Sequence, residues 1–357
     1  MSTDLIDTPR DVRPGEELDA TVLARYLATH LPELGVLPLE IRQFPGGHSN
    51  LTYALRAGDN EYVLRRPPFG SKVKSAHDMG REYRVLSRLH AAFPLAPEPL
   101  HYCEDESVIG ARFYVMRRLR GVIVRRSIPP ELGLTGDRLR ALHLGLVDNL
   151  ARIHGVDYAA AGLADLGKPE GYVERQVSGW IKRYHDSKTD DLPVVDQVAR
   201  WLAENLPGDS GAALLHNDYK LDNLVLSPDD PTKIVGVLDW EMATIGDPLL
   251  DLGAALAYWI EPDDDATVRM MRWGPTDEPG GIRRAEFLAR YQEASGRAVP
   301  NPLYYFVFGC FKNAVIIQQI YYRYKQGLTK DERFANILPG VFICCQHAAS
   351  RLDAGTL

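Results

Sequence analysis

The segment LLHNDYKLDNLVLSPDDPTKIVGVLDWEMATIGDPLLDLG, residues 214–253, combines short apolar runs with a cluster of polar side chains. Within one loop of this segment lie His216, Asp218, Lys220 and Asn223. A later apolar run ends at Asp239, 16 residues after Asn223. The apolar runs predict short strands around a loop, and the residues SPDDP at 227–231 predict a turn between two of them.

This set of side chains matches what phosphoryl transfer requires. A carboxylate orients the attacking hydroxyl and accepts its proton, oxygen atoms hold Mg²⁺, and a cation lies near the transferred phosphate. Asp218 is the candidate base, with Asn223 and Asp239 as candidate metal ligands. An H-x-D sequence, an Asn five residues after the Asp and a second Asp at the end of an apolar strand follow the protein-kinase pattern. An isolated Asp–Asn pair would indicate only a turn, whereas the complete set favours a catalytic site.

The rest of the chain changes its pattern once. The runs IRQF, SNLTYALRA and EYVLRRP predict an antiparallel meander from residue 41, and PLHYCE and ARFYVMRRL predict two further strands. Helical spacing over residues 74–92 predicts one main helix among these strands. After Gly121 the pattern is mostly helical, with predicted helices at 136–154, 170–185, 192–206, 283–295, 302–326 and 330–352. A boundary near residues 118–121 follows, and 357 residues at about 150 per domain allow two domains.

The motifs HNDYKLDN, VLDWE and GDPLLDLG resemble those of the aminoglycoside phosphotransferase family, the small-molecule branch of the protein-kinase-like fold. The resemblance implies an α+β, two-lobe fold with ATP and Mg²⁺ as cofactors. The antiparallel, nucleotide-binding N-lobe would cover residues 17–118, and the mostly helical C-lobe, with the catalytic loop, would cover residues 119–357. Residues 1–16 are predicted to be disordered. Lys220 stands where protein kinases commonly carry a lysine that contacts the γ-phosphate, and is assigned as catalytic beside Asp218.

A kinase-like fold also needs a cation on its third strand and a helical glutamate to hold it. Arg65 in EYVLRRPP is the candidate for the nucleotide phosphates, in place of the usual lysine. An arginine is a planar fork whereas a lysine is a point charge, but both bind phosphate. Glu82 flanks the apolar stripe of the helix at 74–92 and is the candidate partner of Arg65. Both residues also fit an ordinary surface position when each is considered alone.

Two further segments take a role from the resemblance. The sequence FPGGHSNLT lacks a G-x-G-x-x-G pattern, and its glycines also fit a hairpin turn. In the family context it resembles the phosphate-covering loop, with the candidate nucleotide-binding residues Gly46, Gly47, His48, Ser49 and Asn50. The resemblance also implies that residues 116–121 form the hinge between the two lobes. The backbone of this hinge, which begins at Met116, would bind adenine.

The sequence after Asp239 departs from that of protein kinases. Only seven residues separate Asp239 from Asp247, and Trp240-Glu241 replaces Phe-Gly. A long activation segment does not fit in this space, which disfavours a protein substrate. In the fold that the sequence resembles, an Asp just after the metal-binding segment commonly hydrogen-bonds the catalytic loop, and the resemblance implies this supporting role for Asp247 and Asp251.

The acceptor is less well defined, and we expect a small molecule with a hydroxyl group. The acidic run at 261–266 fits a pocket for an aminoglycoside or a solvated loop. Five arginines at 116–126 fit an anionic substrate such as an acyl-CoA ester or a solvated strand. The sequence most resembles the kinase-like domains associated with acyl-CoA dehydrogenases, which implies a hydroxyacyl-CoA. A nucleotide-binding pseudokinase, a Mg²⁺-dependent phosphohydrolase and a choline-type kinase remain alternatives.

Composition excludes several classes of partner. The 41 Lys and Arg against 48 Asp and Glu give a net charge of −7, so we expect no nucleic-acid partner. Apolar runs short of about 20 residues predict no membrane span, and the first residues lack the apolar core of a secretory signal. Four cysteines without a CxxC pair predict free thiols and a cytoplasmic location. The oligomeric state, monomer or homodimer, and the preference for ATP over GTP stay open.

Overall fold

The structure, a computed structural model, describes residues 5–34, 38–45, 50–69, 78–329 and 331–357. It divides into two compact units. The first comprises Met1–Ile123, Ala159–Leu163 and Leu224–Met242, and the second Val124–Tyr158, Ala164–Asn223 and Ala243–Leu357. The segment 214–253 therefore contributes to both units.

The described residues form nine strands and ten α-helices. The strands are β1 (Glu40–Gln43), β2 (Leu51–Ala57), β3 (Asn60–Arg66), β4 (Pro99–Cys103), β5 (Phe113–Arg117), β6 (Ala213–Leu215), β7 (Leu224–Leu226), β8 (Ile234–Val237) and β9 (Thr244–Gly246). The helices are α1 (Ala20–His30), α2 (Met79–Leu89), α3 (Gly136–His154), α4 (Tyr172–Ser187), α5 (Pro193–Glu204), α6 (Pro248–Tyr258), α7 (Ala266–Met271), α8 (Arg284–Ser295), α9 (Pro302–Lys325) and α10 (Leu338–Ala354). The predicted α+β class is confirmed.

A five-stranded antiparallel sheet forms the centre of the first unit, in the order β1-β2-β3-β5-β4. This is the predicted meander, and its tightest turn joins β2 to β3 at Gly58-Asp59, where Gly58 has φ +60°. Arg65 lies in β3 opposite Thr52 on one side and Tyr114 on the other. Because strand side chains alternate, Arg65 shares a face of the sheet with Val63, as predicted.

Described residues before the sheet contact it at two places. Within the stretch predicted to be disordered, Arg10 forms an antiparallel bridge with Gln43 at the end of β1. Helix α1 follows, and the carboxylate of its N-cap residue Asp19 accepts hydrogen bonds from two backbone N–H groups of the first turn. Leu23 and Leu27 then pack into the core formed by the sheet. One backbone bridge and the buried face of α1 thus attach this part of the chain to the sheet.

Helix α2 buries the face that its apolar spacing predicts. Asp78 caps the helix by accepting the N–H of Arg81, and Met79, Val85 and Leu89 are among its buried residues. The same stripe includes Glu82, whose side chain is only 2% exposed. A buried carboxylate requires a cation or hydrogen-bond donors, so its position already indicates a partner.

The hairpin of β7 and β8 belongs to the first unit. Val122 forms an antiparallel bridge with Leu226 of β7, which joins the hairpin to the chain that leaves the main sheet. After β8, the buried ring of Trp240 packs edge-on against Phe93, with 5.8 Å between ring centroids. These contacts fix the segment that carries Asp239.

Helices α6 and α9 form the centre of the second unit and approach each other closely. A Cβ added to Gly253 of α6 would collide with the backbone carbonyl of Tyr305, and one added to Gly309 of α9 would collide with that of Gly253. Glycine at both positions therefore lets the two helix backbones come into contact. All eleven residues of α6 are buried as a result.

Four elements of the second unit differ from prediction. Helix α6 was not expected, because a helix buried on all sides has no amphipathic period to detect. Helix α7 and strand β9, which pairs with β6, are too short for a clear pattern. Helix α10 begins at Leu338 instead of residue 330, and Glu332–Phe334 form a separate 3₁₀ turn before it.

Two predictions from composition can be compared with the structure. All four cysteines, at 103, 310, 344 and 345, are buried and free, as predicted. Burial raises the pKa of Cys344 to about 12, so its thiol is protonated at neutral pH. None of the helices in the described part of the chain combines the length and the apolar character that a bilayer span requires.

Two buried histidines make the stability of the second unit dependent on pH. Burial lowers the pKa of His143 and of His347 to about 4, and the Arg284 guanidinium beside His347 acts in the same direction. The unfolded chain takes up these protons near pH 6.5, so between pH 6.5 and 4 it binds more protons than the folded chain. We expect urea denaturation to give a free energy of unfolding lower by about 2 kcal/mol per histidine at pH 5 than at pH 7.5. His347→Gln should remove the contribution of that histidine to the pH dependence.

Candidate active site

Asp218 lies in the loop after β6 and receives hydrogen bonds from two residues of the same loop. The Lys220 ammonium lies 3.0 Å from Oδ2 and 3.2 Å from Oδ1 of Asp218. A 3₁₀ turn at Leu221–Asn223 returns Asn223 toward Asp218, and its amide nitrogen donates to Oδ2 at 3.0 Å and to the Asp218 backbone carbonyl at 2.8 Å. The structure thus brings together three residues that the sequence assigns to one site.

A third side chain bonded to the Asp218 carboxylate comes from a different element. The hydroxyl of Tyr258, the last residue of α6, donates to Oδ1 of Asp218 at 2.8 Å. The Tyr258 ring also lies 5.0 Å from the Lys220 ammonium. Nothing in the spacing of the sequence identifies this residue, because α6 itself was not predicted.

The surroundings of Asp218 keep it ionised. Burial alone would raise the pKa of this carboxyl, but the Lys220 ammonium and the Tyr258 hydroxyl lower it below its usual value. The Asp218 side chain is 19% exposed, so it is not sealed from solvent. An ionised carboxylate is the form that a proton acceptor requires.

Asp251 of α6 holds the backbone of this loop. Its buried carboxylate accepts the N–H groups of His216 and Asn217, both at 2.8 Å. The ring of His154 lies 3.2 Å from the same carboxylate and 2.7 Å from the Tyr291 hydroxyl. The expected role of Asp251 as a support of the loop agrees with these contacts.

Lys312 of α9 supports the same loop from another helix, and the sequence did not identify it. The lysine is 3% exposed, and its ammonium donates to the backbone carbonyl of Asn217. Asn217 has φ +66°, in the left-handed region that non-glycine residues rarely adopt. Burial lowers the pKa of Lys312, although the carboxylates of Asp251 and Asp218 oppose this effect. Asp251 and Lys312 thus fix the residue immediately before Asp218.

Asp247 does not contact the loop in the way that the sequence predicts. Its carboxylate caps α6 by accepting the N–H of Leu249 at 2.8 Å, and it accepts the hydroxyl of Ser210 at 2.7 Å. The N-terminus of a helix offers unpaired N–H groups, and Asp is among the residues that bind them best. Asp247 therefore positions the helix that carries Asp251 and Tyr258.

In the first unit, Arg65 and Glu82 form a buried ion pair. Nη1 of Arg65 lies 2.5 Å from the Glu82 carboxylate, and both Nη atoms lie 3.3 Å from Oδ1 of Asp239. Burial alone would lower the pKa of Arg65, but the carboxylates of Glu82 and Asp239 raise it well above its usual value. The guanidinium is therefore a permanent cation beside the carboxylate of Asp239.

The segment around Asp239 is held in an uncommon conformation. Asp239 has φ +68°, and the indole N–H of the following Trp240 donates to the carbonyl of Val237 at 2.8 Å. The guanidinium of Arg81 in α2 donates to the carbonyl of Glu241 at 2.7 Å. These bonds fix the backbone on both sides of Asp239, whose side chain is 32% exposed.

Exchange of Arg65 for lysine tests whether the two nitrogens of the guanidinium are needed to bond Glu82 and Asp239. A lysine keeps the charge but presents a single nitrogen, so it cannot bond Glu82 and Asp239 as the two-armed guanidinium does. We expect Arg65→Lys to lower the free energy of unfolding by about 2 kcal/mol, the value of a charge-assisted hydrogen bond, in urea denaturation. Arg117→Lys, at an exposed pair with Glu98, should cost less than about 1 kcal/mol. Equal effects of the two variants would contradict the assignment.

Of the other predicted nucleotide-binding residues, the structure describes two. Asn50 is buried, and its amide nitrogen donates to the Glu241 carboxylate at 2.8 Å. Met116 lies in β5 opposite Val63 and is buried. The remaining four lie outside the described residues: Gly46, Gly47, His48 and Ser49.

Several arginines of the 116–126 stretch have acidic partners. Arg117 pairs with Glu98 at 2.7 Å. Arg118 and Arg120 both pair with Glu61, at 3.0 Å and 3.4 Å. Three of the five cations considered for an anionic substrate are thus engaged within the first unit.

The acidic run at 261–266 also has partners. The buried Asp264 forms ion pairs with Arg284 and Arg351, and Glu261 pairs with Arg284 at 3.3 Å. These carboxylates are neutralised by arginines of α8 and α10, so they are not free to bind a polycation. The pocket for an aminoglycoside that this run suggests is therefore not supported.

The candidate metal ligands have suitable chemistry. The two hydrogen bonds of Asn223 use its amide nitrogen, which leaves its amide oxygen as the atom suited to a cation. Asp239 offers a carboxylate oxygen, and both donors are hard oxygen atoms of the kind that Mg²⁺ prefers. Within the described residues no group of three or more His, Cys, Asp and Glu side chains is arranged to hold a metal. Two protein ligands with phosphate oxygens are the usual arrangement for Mg²⁺ in phosphotransferases.

Side chains of these types, on elements of these kinds, are typical of phosphotransferases with the protein-kinase-like fold. The chain belongs to the phosphotransferase enzyme family, whose model matches residues 40–303. The resemblance proposed from the motifs is confirmed.

The chain is also similar to part of several acyl-CoA dehydrogenase family members. The chain is 37% identical over 339 residues to human acyl-CoA dehydrogenase family member 11, a match that covers 92% of this chain and 43% of the relative. It is 34% identical over 324 residues to mouse acyl-CoA dehydrogenase family member 10, which covers 90% of this chain and 30% of the relative. The chain thus spans about two fifths or less of the length of these relatives.

Solved structures share the fold. A Ralstonia eutropha protein, provisionally named an aminoglycoside phosphotransferase, superposes with a TM-score of 0.76 at 30% identity, over 94% of this chain and 99% of that chain. A choline kinase from Cryptosporidium parvum superposes with a TM-score of 0.64 at 12% identity, over 94% and 97%. A thermostable mutant of the aminoglycoside phosphotransferase APH(4)-Ia, in a ternary complex with AMP-PNP and hygromycin B, superposes with a TM-score of 0.60 at 19% identity, over 94% of this chain and 100% of that chain. The last two likenesses establish the fold alone.

Proposed function

We propose that the protein transfers the γ-phosphate of ATP to a hydroxyl group of a small metabolite, and that this acceptor is a hydroxyacyl-CoA. The observation that carries the phosphotransferase part is the arrangement around Asp218, an ionised carboxylate bonded by Lys220 and Asn223. Membership of the phosphotransferase enzyme family supports the same reaction class.

Each side chain has a role in this reaction. Asp218 orients the acceptor hydroxyl and takes its proton, and Lys220 stabilises charge on the transferred phosphate. Arg65, held by Glu82, binds the nucleotide phosphates. Asn223 and Asp239 are proposed as the magnesium ligands on their sequence spacing.

When bound, Mg²⁺ would supply positive charge that neutralises the negative charge developing on the transferred phosphate. The protein's own contribution is to hold the ligands ready. Asn223 is fixed by its bonds to Asp218, and Asp239 by the neighbouring Arg65 guanidinium. The proposed nucleotide-binding loop at residues 46–49 carries Gly46, Gly47, His48 and Ser49, and Asn50 and Met116 complete that assignment.

The acyl-CoA part of the proposal has a different basis. The named relatives at 34–37% identity are acyl-CoA dehydrogenase family members, and this chain matches less than half of their length. Their names associate a segment like this chain with acyl-CoA chemistry, which supports a related thioester as the acceptor. The pairing of Glu261 and Asp264 with arginines counts against a polycationic aminoglycoside.

A panel of acceptors tests the proposal. The purified protein with Mg²⁺ and ATP is incubated with hydroxyacyl-CoAs, free hydroxy acids, aminoglycosides or choline, and phosphorylated products are measured by mass spectrometry. We expect a phosphorylated hydroxyacyl-CoA. Phosphorylation of another acceptor alone would refute the acyl-CoA part, and inorganic phosphate as the sole product would indicate a phosphohydrolase. A nucleotide-dependent rise in melting temperature without ADP formation would indicate a pseudokinase.

A further inference from the structure

The carboxylate of Asp218 is bonded by more donors than a proton acceptor can keep during the reaction. Oδ1 lies 2.8 Å from the Tyr258 hydroxyl and 3.2 Å from the Lys220 ammonium. Oδ2 lies 3.0 Å from both the Lys220 ammonium and the Asn223 amide nitrogen. A carboxylate offers about four lone-pair positions, and these four contacts fill them. A substrate hydroxyl can therefore donate to Asp218 only after one donor has left.

Tyr258 is the donor best suited to leave. Lys220 and Asn223 belong to the same loop as Asp218, and Asn223 is also bonded to the Asp218 backbone carbonyl at 2.8 Å. That second bond keeps Asn223 in place when the carboxylate changes partners. Tyr258 instead reaches the carboxylate from the end of α6, and only its terminal hydroxyl group makes the contact with Asp218.

A small cavity beside the Tyr258 ring provides room for movement. Its volume is about 10 Å³, and Lys220, Tyr258 and Trp273 are among the residues that line it. The Trp273 ring lies edge-on to the Tyr258 ring, with 5.5 Å between centroids. A space of roughly this size accommodates about one water molecule, or the displacement of one hydroxyl group. This space lies beside the Tyr258 ring and is large enough for a small displacement of its hydroxyl group.

We propose that the Tyr258 hydroxyl occupies the position on Asp218 Oδ1 that the acceptor hydroxyl takes during transfer, and that it excludes water from this position until the acceptor binds. The inference rests on the proposed phosphotransferase activity and assigns Tyr258 as a positioning residue. Burial and the Asp218 carboxylate raise the pKa of Tyr258 well above its usual value. The phenol is therefore an uncharged donor, as an alcohol substrate is.

Displacement of the Tyr258 hydroxyl decides whether the acceptor hydroxyl or water attacks ATP. In the transfer step the acceptor oxygen forms a bond to the γ-phosphorus of ATP, and the bond from that phosphorus to the β,γ-bridging oxygen breaks. ADP leaves with the electron pair, and the hydroxyl proton passes to Asp218. If water takes the acceptor's place, the same bonds change and inorganic phosphate forms. A water molecule gains too little binding energy to displace Tyr258, whereas an acceptor held by the rest of its structure can do so.

Tyr258→Phe tests this role, because it removes the hydroxyl and keeps the ring. We expect acceptor-independent ATP hydrolysis, measured as released phosphate, to rise about tenfold, the factor that corresponds to one hydrogen bond. Transfer to the acceptor should keep its kcat, and the KM for the acceptor should stay the same or fall. A purely structural role would instead lower hydrolysis and transfer together.

Tyr219→Phe is the matched control. Tyr219 is a buried tyrosine of the same loop, but its hydroxyl donates to the Leu146 carbonyl at 2.8 Å and not to Asp218. This variant should show no rise in hydrolysis. If the wild-type protein phosphorylates its acceptor and Tyr258→Phe leaves hydrolysis unchanged, the assignment of Tyr258 is wrong and the proposed function stands. If the wild-type protein transfers phosphate to no acceptor, the proposed function itself fails.

Discussion

Asp218→Ala should lower kcat for phosphoryl transfer by about 10²- to 10⁴-fold. The variant loses the group that orients the acceptor hydroxyl and takes its proton, and Lys220 loses the carboxylate that holds it at 3.0 Å. Nucleotide affinity should change little, since Arg65 and Glu82 belong to the other unit and form their ion pair without Asp218. Steady-state kinetics with saturating acceptor, together with nucleotide titration by calorimetry, measures both quantities.

The matched control for this loss is Asp229→Asn. Asp229 lies in the exposed turn between β7 and β8, so its carboxylate can be replaced without a change in the loop at Asp218. Activity should stay close to that of the wild-type protein. A kcat of Asp218→Ala within about threefold of wild type would mean that its part in proton transfer is below about 1 kcal/mol, and Asp218 would not be the base.

Asp251→Asn should have the second large effect, on stability as well as activity. The carboxylate accepts two backbone N–H groups of the loop and faces His154 in a fully buried position. An amide presents one oxygen and one NH₂ group, so at least one buried N–H loses its acceptor and meets another donor instead. We expect the free energy of unfolding to fall by about 3–5 kcal/mol, as for other broken buried charge interactions, in urea denaturation.

Asp148→Asn serves as the control for Asp251. Asp148 pairs with Arg290 on the surface, with side chains 37% and 35% exposed, and removal of such a pair costs less than about 1 kcal/mol. If the two variants lost the same stability, the hydrogen bonds from the His216 and Asn217 N–H groups to Asp251 would not stabilise the fold as we propose. A folded Asp251→Asn protein with full kcat would show that the loop at Asp218 does not depend on this support.

The residues that the sequence assigned correctly to one group share a linear signal. Asp218, Lys220 and Asn223 lie within six residues of one another, so their proximity follows from chain connectivity and a single 3₁₀ turn. The pairing of Arg65 with Glu82 was expected because strand alternation and the apolar stripe of α2 each fix one side chain. In both cases local geometry is sufficient, without knowledge of the tertiary fold.

The residues that the sequence did not reveal depend on tertiary packing. Tyr258 and Lys312 reach the loop from α6 and α9, 40 and 95 residues away along the chain. Helix α6 is buried on every side, so its sequence has no polar face to indicate its direction. The sequence predicts that Asp247 supports the catalytic loop, but its carboxylate instead caps the N-terminus of α6. Contacts of this kind become visible only when the helices are packed together.

Our central claim is that Asp218 acts as the catalytic base in transfer of phosphate from ATP to an acceptor hydroxyl. The most direct measurement incubates wild-type protein and Asp218→Ala in parallel with Mg²⁺, ATP and hydroxyacyl-CoA, and follows the phosphorylated acceptor by mass spectrometry. We predict a phosphorylated product that matches the ADP formed by the wild-type protein, and a rate about 10²- to 10⁴-fold lower for the variant. Equal rates from the two proteins, or ADP with free phosphate and no phosphorylated acceptor from the wild-type protein, would contradict the claim.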